Sequence, residues 1–205
     1  MLSKKGFDEW MKSYDKDVVQ TDEAGRFPFA GYRDVLYTIY QMGLKRAPKT
    51  LLDVGVGTGV LAKQFYAAGV KVEGMDFSAE MLKKAQKRLP DATLLHGDMR
   101  EGLPDGFSGK SYDLITGTYA LHHLNHKEKV RLLEDLRKRL NDDGVLLIGD
   151  VAFETHSDHD TIRRNHQEDW DEDEHYWVYE TIQKDFPKSL FLPISYCAGV
   201  LIVRK

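Results

Sequence analysis

The stretch LLDVGVGTGVLA, residues 51–62, decides the fold of this 205-residue chain. A short apolar strand runs directly into three glycines at alternate positions, Gly55, Gly57 and Gly59, and then into a helix. Glycines permit a tight turn and let a ligand approach the backbone at the carboxyl edge of a strand, where open α/β sheets bind ligands. The stretch therefore predicts the first strand–turn–helix unit of a ligand-binding sheet. A tight turn without a ligand is the alternative.

Downstream of this unit, short apolar runs alternate with helical patterns, which is typical of a parallel sheet with helical crossovers. The predicted strands are residues 50–55, 70–76, 92–98, 112–119 and 145–153, with a turn at 141–144 before the last of these. Outside this core, helices are predicted at 7–19 and 176–186. Two further β-like runs near the end of the chain predict a hairpin, so at least one late strand should be antiparallel. We expect a single domain with a helical cap at 1–47, a core at 48–153, a substrate-side insert at 154–186 and a terminal hairpin at 187–205.

Carboxylates at the strand ends indicate which ligand the sheet binds. The dinucleotide fingerprint G-x-G-x-x-G fails, because its sixth position, counted from Gly55, is Val60. Asp53 is unhelpful beside a pyrophosphate but suits a ligand with an ammonium group. Asp76 ends the second predicted strand 21 residues after Gly55, where an acid can accept hydrogen bonds from ribose hydroxyls, although a nicotinamide enzyme would also need it. Asp98 ends the third predicted strand.

These residues resemble a known family. DVGVGTG after an apolar strand is similar to motif I of class I S-adenosylmethionine-dependent methyltransferases, and FDEWMKSYDKDV with YALHHL resembles, more narrowly, the small YrrT-type methyltransferases of bacteria. The resemblance implies a Rossmann-like, seven-stranded, mostly parallel sheet with helices on both faces, an antiparallel last strand and S-adenosylmethionine as cofactor. It implies that Asp98 binds the adenine amino group and that Phe77 packs on the ring. The implied cofactor-binding residues are Tyr14, Asp53, Gly55, Val56, Gly57, Gly59, Asp76, Phe77, Asp98, Met99 and Thr116.

Two histidines follow the fourth predicted strand. His122 or His123 could act as a general base near neutral pH; the alternative is that one packs on the cofactor or caps the next helix while the other is exposed. Residues 154–175 are rich in histidine and acids but lack an ordered ligand spacing, so we predict no metal site. In this fold the insert after strand five often roofs the acceptor pocket. The candidate substrate-contacting residues are Tyr119, Trp170, Tyr176 and Trp177.

Composition narrows the class of partner. The net charge is −4, from 29 basic and 33 acidic residues, and shows none of the basic excess that nucleic-acid binders use. The longest apolar runs fall far short of the about 20 residues of a membrane helix, and a lone cysteine, Cys197, fits a reducing compartment. We expect a cytoplasmic enzyme, monomeric or homodimeric, that methylates a small molecule. A protein or RNA acceptor and a non-catalytic S-adenosylmethionine-binding protein are the alternatives, and a nicotinamide oxidoreductase comes last.

Overall fold

The computed structural model describes residues 16–205, and the candidate Tyr14 and most of the helix predicted at 7–19 lie outside them. The helices are α1 Lys16–Glu23, α2 Tyr32–Leu44, α3 Val60–Ala67, α4 Ala79–Arg88, α5 His126–Lys138, α6 His156–Asn165 and α7 Tyr179–Asp185. The strands are β1 Thr50–Val54, β2 Lys71–Asp76, β3 Thr93–His96, β4 Tyr112–Thr118, β5 Leu140–Phe153, β6 Trp177–Val178, β7 Leu190–Pro193 and β8 Ala198–Arg204. Single 3₁₀ turns lie at Asp105–Phe107 and Leu121–His123.

The main sheet has the strand order β3-β2-β1-β4-β5-β8-β7, and the two-residue β6 pairs with β5 outside this path. Strands β1 to β5 are parallel to their neighbours in that order, whereas β8 is antiparallel to both β5 and β7. The predicted seven-stranded sheet with an antiparallel last strand is therefore confirmed, with β6 as an eighth short strand. The strand order reverses between β1 and β4, and open sheets of this kind bind ligands in the crevice at such a point.

Helices cover both faces of the sheet, as predicted. The side chains of successive strand residues point to opposite faces, so Leu51 packs in the layer with α2 and α3, and Leu52 packs in the layer with α5 and α7. Both leucines are fully buried. In residues 16–205, no helix is long and apolar enough to cross a bilayer.

Side-chain caps explain where three of the helices begin. Ser78 accepts a hydrogen bond from the backbone N–H of Met81 at the start of α4. Asn125 forms a capping box with Glu128 at the start of α5, and Thr155 caps α6 in the same way. These caps satisfy backbone N–H groups that have no partner within the helix. Helix α6 has no buried residue, which agrees with a solvated segment after β5.

The structure corrects two local predictions. Residues 141–144, predicted as a turn before strand five, belong to β5, but its pairing with β4 jumps from Leu140 to Val145, so these residues bulge out of the ladder. The helix predicted at 176–186 begins only at Tyr179, because Trp177–Val178 is extended and pairs with Ala152–Phe153 at the end of β5. A backbone pairing partner that is distant in sequence has overridden the local helical pattern in this segment.

Candidate active site

A cavity of about 350 Å³ opens at the carboxyl ends of β1, β2 and β4, at the point where the strand order reverses. The turn after β1 forms the floor of this cavity, and residues of the helical cap, which precedes β1 in the sequence, form one wall. The lining residues are Val18, Phe29, Tyr32, Leu36, Asp53, Gly55, Val56, Gly57, Thr58, Val60, Leu61, Asp76, Phe77, Ser78, Met81, Met99, Thr118, Tyr119, Ala120 and His123. Its size and mixed apolar and polar lining suit a small organic ligand.

The glycine turn shapes the floor of this cavity. Gly55 and Gly57 have φ of +74° and +54°, a region that residues with a Cβ rarely adopt. A Cβ on Gly55 would lie 2.4 Å from the Cβ of Ala120, whereas a Cβ on Gly57 would meet nothing within 4 Å. Gly55 is therefore required by packing and backbone conformation together. Gly57 leaves room for a ligand beside the turn.

Asp53 contributes a buried carboxylate to the cavity without a positively charged partner. Its Oδ1 accepts a hydrogen bond of 2.7 Å from the hydroxyl of Thr116, and the residue is 2% exposed. Burial raises the pKa of Asp53 to about 7, and the charge of Asp76 adds to this, although the Thr116 hydrogen bond opposes it. Among the side chains that the structure describes, which exclude that of Lys16, no cationic group lies at ion-pair distance from Asp53. A ligand ammonium group would compensate the buried charge.

Asp76 fixes the turn and faces the same cavity. One carboxylate oxygen accepts a 2.8 Å hydrogen bond from the backbone N–H of Gly57, and the other accepts one of 2.9 Å from that of Ser78. Each carboxylate oxygen has a further lone pair, so Asp76 can also accept hydrogen bonds from ligand hydroxyls. Beside it Phe77 is 64% exposed, which leaves a flat aromatic face at the cavity rim.

Most of the predicted cofactor-binding residues lie together at this cavity, and three do not line it. Thr116 is fully buried behind Asp53 and reaches the cavity only through its hydrogen bond. Gly59 faces helix α4, where a Cβ would lie 3.0 Å from Leu89. The carboxylate of Asp98 is held by the guanidinium of Arg100, with contacts of 2.7 to 3.1 Å, and the hydrogen bonds from Arg100 outweigh desolvation and lower the pKa of Asp98.

The two candidate bases occupy different positions. His123 lines the cavity, and burial, followed by the neighbouring His122, lowers the pKa of His123. His122 lies behind it, with Nδ1 2.6 Å from Oδ1 of Asp150 and Nε2 3.4 Å from Oε1 of Glu174. Burial alone would lower the pKa of His122, but the charges of Asp150 and Glu174 outweigh it and raise that pKa. His123 is therefore the histidine placed to contact a ligand.

Of the candidate substrate residues, Tyr119 lines the cavity and the other three do not. Tyr119 has φ of +49°, and its hydroxyl is buried with no hydrogen-bond partner among the described residues. Trp170, Tyr176 and Trp177 line a separate cavity of about 370 Å³. Trp177 belongs to β6 and donates its indole N–H to Asp150 at 3.2 Å, which holds it against the end of β5 rather than over the first cavity.

Sequence reasoning missed a buried polar cluster next to the histidines. Asp150 lies in β5 and accepts hydrogen bonds from the backbone and ring of His122 and from Trp177. Lys129 of α5 donates to the carbonyl oxygen of His175 and lies 4.5 Å from the centre of the Trp177 ring. Burial lowers the pKa of Lys129 to about 8, against the opposing charge of Asp150. An acid inside an otherwise apolar strand was the available signal for Asp150, whereas Lys129 lies in an ordinary helical charge pattern.

The fold and the paired acids together define a nucleotide-binding α/β protein whose ligand carries a positive charge. Comparison with known proteins narrows this class, because residues 51–144 match the family described as methyltransferase domain. An uncharacterized methyltransferase of Geobacillus kaustophilus is 37% identical over 148 residues, 72% of this chain and 66% of that protein. One of Oceanobacillus iheyensis is 31% identical over 192 residues, 90% and 87% of the two chains. The chain therefore belongs to the class I S-adenosylmethionine-dependent methyltransferases.

Solved structures agree on the fold. The magnesium protoporphyrin IX methyltransferase of Synechocystis, with bound S-adenosylhomocysteine, superposes with a TM-score of 0.70 at 17% identity and covers 98% of this chain and 95% of its own. The ribosomal protein L11 methylase of Lactobacillus delbrueckii has a TM-score of 0.54 at 19% identity, over 83% and 79% of the two chains. One of these names specifies a small molecule and the other a protein, so the shared fold leaves the acceptor open.

Proposed function

We propose that this chain transfers a methyl group from S-adenosylmethionine to a small-molecule acceptor bound in the 350 Å³ cavity. The observation that carries the proposal is the pair of carboxylates at adjacent strand ends, Asp53 and Asp76, which border the same cavity. Asp53 is buried, with no balancing cation among the described side chains, and Asp76 can still accept hydrogen bonds on the cavity side.

The residues present fit the cofactor group by group. Asp53 would hold the ammonium group, Asp76 the ribose hydroxyls, and Phe77 with Met99 the adenine ring. The open space beside Gly57 leaves room for the chain between amino acid and ribose. Asp98 remains a proposed partner of the adenine amino group, although it would first have to exchange part of its pairing with Arg100 for that contact. A dinucleotide fits less well, because the Asp53 carboxylate would face a pyrophosphate of the same charge.

Methyl transfer requires little of the protein beyond holding the acceptor and the cofactor in the right positions. When bound, S-adenosylmethionine supplies a methyl group on a cationic sulfur, which is the reactive part of the chemistry. The chain must hold an acceptor in line and exclude water, and good orientation can contribute about 7–11 kcal/mol. We propose that His123 accepts the acceptor proton, since its lowered pKa keeps Nδ1 or Nε2 free of a proton at neutral pH. Tyr119, whose hydroxyl has no partner among the described residues, would orient the acceptor.

The distribution of positive charge favours a small acceptor over a protein or an RNA. Basic residues concentrate on α4 and α5, and a macromolecular acceptor would require these helices to lie together beside the cavity. They lie on opposite faces of the sheet, because Leu82 of α4 packs in the layer with α2 and Leu132 of α5 packs in the other layer. Arg88 of α4 is already bonded to the carbonyl and hydroxyl oxygens of Thr58.

A cytoplasmic location and a monomeric or homodimeric state accompany this proposal. The single cysteine, Cys197, is buried and free, which supports a reducing compartment. Sedimentation of the purified chain would test the oligomeric state, and fractionation of the source cell would test the location.

Transfer of labelled methyl groups tests the proposed reaction. The chain is incubated with methyl-labelled S-adenosylmethionine and separate pools of small thiols, phenols, carboxylic acids and amines, and in parallel with protein and RNA extracts. We expect label in at least one small-molecule pool, and none when Asp53→Asn replaces the wild type. Label found only in protein or RNA would contradict the small acceptor. Tight cofactor binding with no transfer to any pool would instead favour the non-catalytic binding protein.

A further inference from the structure

We propose that His122, His123 and Glu174 form a binding site for a divalent transition metal, of which Zn²⁺ is the natural probe. One ligand atom from each of these residues lies within 4.8 Å of those of the other two. Two imidazoles and a carboxylate are a common ligand set for Zn²⁺. The sequence predicts no metal site, because Glu174 follows the histidine pair by 51 residues and only the fold brings the three together.

The distance between His122 and Glu174 fits a metal better than a hydrogen bond. Nε2 of His122 lies 3.4 Å from Oε1 of Glu174. Hydrogen bonds between nitrogen and oxygen fall at about 2.7–3.2 Å. Ligands at about 2.0–2.1 Å from a tetrahedral zinc ion are separated by roughly 3.3 Å. The first two ligands are therefore already spaced as the ion requires, and the ligand atom of His123 lies within 4.8 Å of both and would have to move closer on binding.

Asp150 supplies the outer support that metal-binding histidines usually have. Its Oδ1 lies 2.6 Å from Nδ1 of His122, and its Oδ2 accepts hydrogen bonds from the His122 backbone and the Trp177 ring. Asp150 is 1% exposed and cannot turn away to solvent. The pairing holds a proton on Nδ1 of His122 and directs Nε2 at Glu174, where a metal ion would take the place of any second proton, as in a carboxylate–histidine–metal unit.

The proposed metal site lies between the two cavities. His123 lines the cavity of the proposed cofactor, and Glu174 lines the second cavity with Trp170 and Tyr176. Three protein ligands leave at least one coordination position open, as in catalytic zinc sites. An acceptor with an anionic oxygen or sulfur entering from the second cavity could occupy it. That acceptor role depends on the proposed methyl transfer and would replace the role of His123 as base, because a metal-bound imidazole cannot accept the acceptor proton and an anionic acceptor needs no base. Metal binding itself does not depend on methyl transfer.

A buried cation, Lys129, also lies near the three proposed ligands. Lys129 of α5 lies near Asp150, but its ammonium group donates to the carbonyl of His175 and stacks over Trp177. Asp150 and Glu174 provide two negative charges against Lys129. The fixed charges of these side chains around the imidazoles therefore favour a bound cation.

Metal titration of the untagged, chelator-treated chain tests the site. We expect one Zn²⁺ per chain by calorimetry, and Co²⁺ to give the visible absorption of a tetrahedral or five-coordinate ion. Glu174→Gln and His123→Gln should each weaken binding at least about tenfold, and Asp150→Asn, which leaves the three ligands in place but removes the charge behind His122, should weaken it about 10–100-fold. The matched control is Glu172→Gln, since Glu172 pairs instead with Arg163 at 2.6 Å and should leave the affinity unchanged.

The outcomes separate this site from the proposed methyl transfer. No stoichiometric binding, or equal losses in Glu172→Gln and Glu174→Gln, would overturn the metal site and leave His122 and Glu174 as an ion pair. Binding of S-adenosylhomocysteine, measured in the same samples, would report on the proposed function independently. Thermal unfolding of each variant checks that the partly exposed substitutions at His123 and Glu174 leave the fold intact.

Discussion

Replacing Asp53 by Asn should remove a pH dependence of stability that this one carboxylate imposes. Burial raises its pKa from 3.8 to about 7, so the folded chain binds this proton more tightly than the unfolded chain does. The contribution of Asp53 to the free energy of unfolding therefore falls as the pH rises from about 4 to about 7. The slope is about 1.4 kcal/mol per pH unit between the two pKa values and half of that at pH 7, so the loss is about 2 kcal/mol between pH 5 and pH 7. Asparagine keeps an oxygen for the Thr116 hydroxyl and carries no charge.

Urea unfolding at a series of pH values measures this effect as the difference between variant and wild type. All other titrating groups are common to both proteins, so Asp53→Asn should gain about 2 kcal/mol relative to the wild type between pH 5 and pH 7. The matched control is Asp113→Asn, because hydrogen bonds from Lys49, Thr50 and Asn141 outweigh desolvation and lower the pKa of Asp113. That control should keep a constant difference from wild type between pH 5 and pH 7, because Asp113 is ionised in both the folded and the unfolded chain there, and its difference should change only below about pH 4. Parallel curves for Asp53→Asn and wild type would refute the argument that an uncompensated charge lies in the cavity.

Three substitutions test residues that form or support the cavity. Gly55→Ala should destabilise the chain by about 1–3 kcal/mol more than Gly25→Ala. Both glycines have positive φ, but only at Gly55 would the added Cβ meet Ala120. Equal unfolding free energies of the two variants would contradict this. Tyr119→Phe should raise the free energy of unfolding by about 1 kcal/mol, since the hydroxyl it removes is buried and unpartnered within residues 16–205, and a loss would show that the hydroxyl has a partner. Thr116→Val removes the hydrogen bond that lowers the pKa of Asp53, so that pKa should rise further. Proton release on binding S-adenosylhomocysteine, measured by calorimetry in two buffers, should therefore extend to higher pH. An unchanged pH profile would argue against that hydrogen bond.

Local patterns were sufficient to predict the sheet and the floor of the cavity. The apolar run that ends in Gly55, Gly57 and Gly59 has few alternatives to a strand followed by a tight turn and a helix, and the alternation of short runs after it predicts parallel pairing. The short β6 was not predictable, because Trp177 and Val178 are extended only through their pairing with the end of β5. Such pairing depends on residues that are distant in sequence.

The positions of the cavity acids could be predicted from the strand ends, whereas the partner of an acid in a loop could not. Asp53 and Asp76 follow from their positions because the strand itself aims them at the cavity. Asp98 lies beyond the last residue of β3, where the guanidinium of Arg100 reaches it. The different positions of His123, which lines the cavity, and His122, which lies behind it, could not be predicted from the sequence either, because they depend on the buried carboxylate of Asp150.

Calorimetric titration with S-adenosylhomocysteine and, separately, with NAD tests the central claim most directly, using wild type and Asp76→Ala. Charge-assisted hydrogen bonds to buried carboxylates contribute about 1.5–3 kcal/mol, so the variant should bind S-adenosylhomocysteine about ten to a hundred times more weakly. We expect no binding of NAD to either protein. Absence of S-adenosylhomocysteine binding to a folded wild type, or equal affinity in the variant, would contradict the assignment of the cavity.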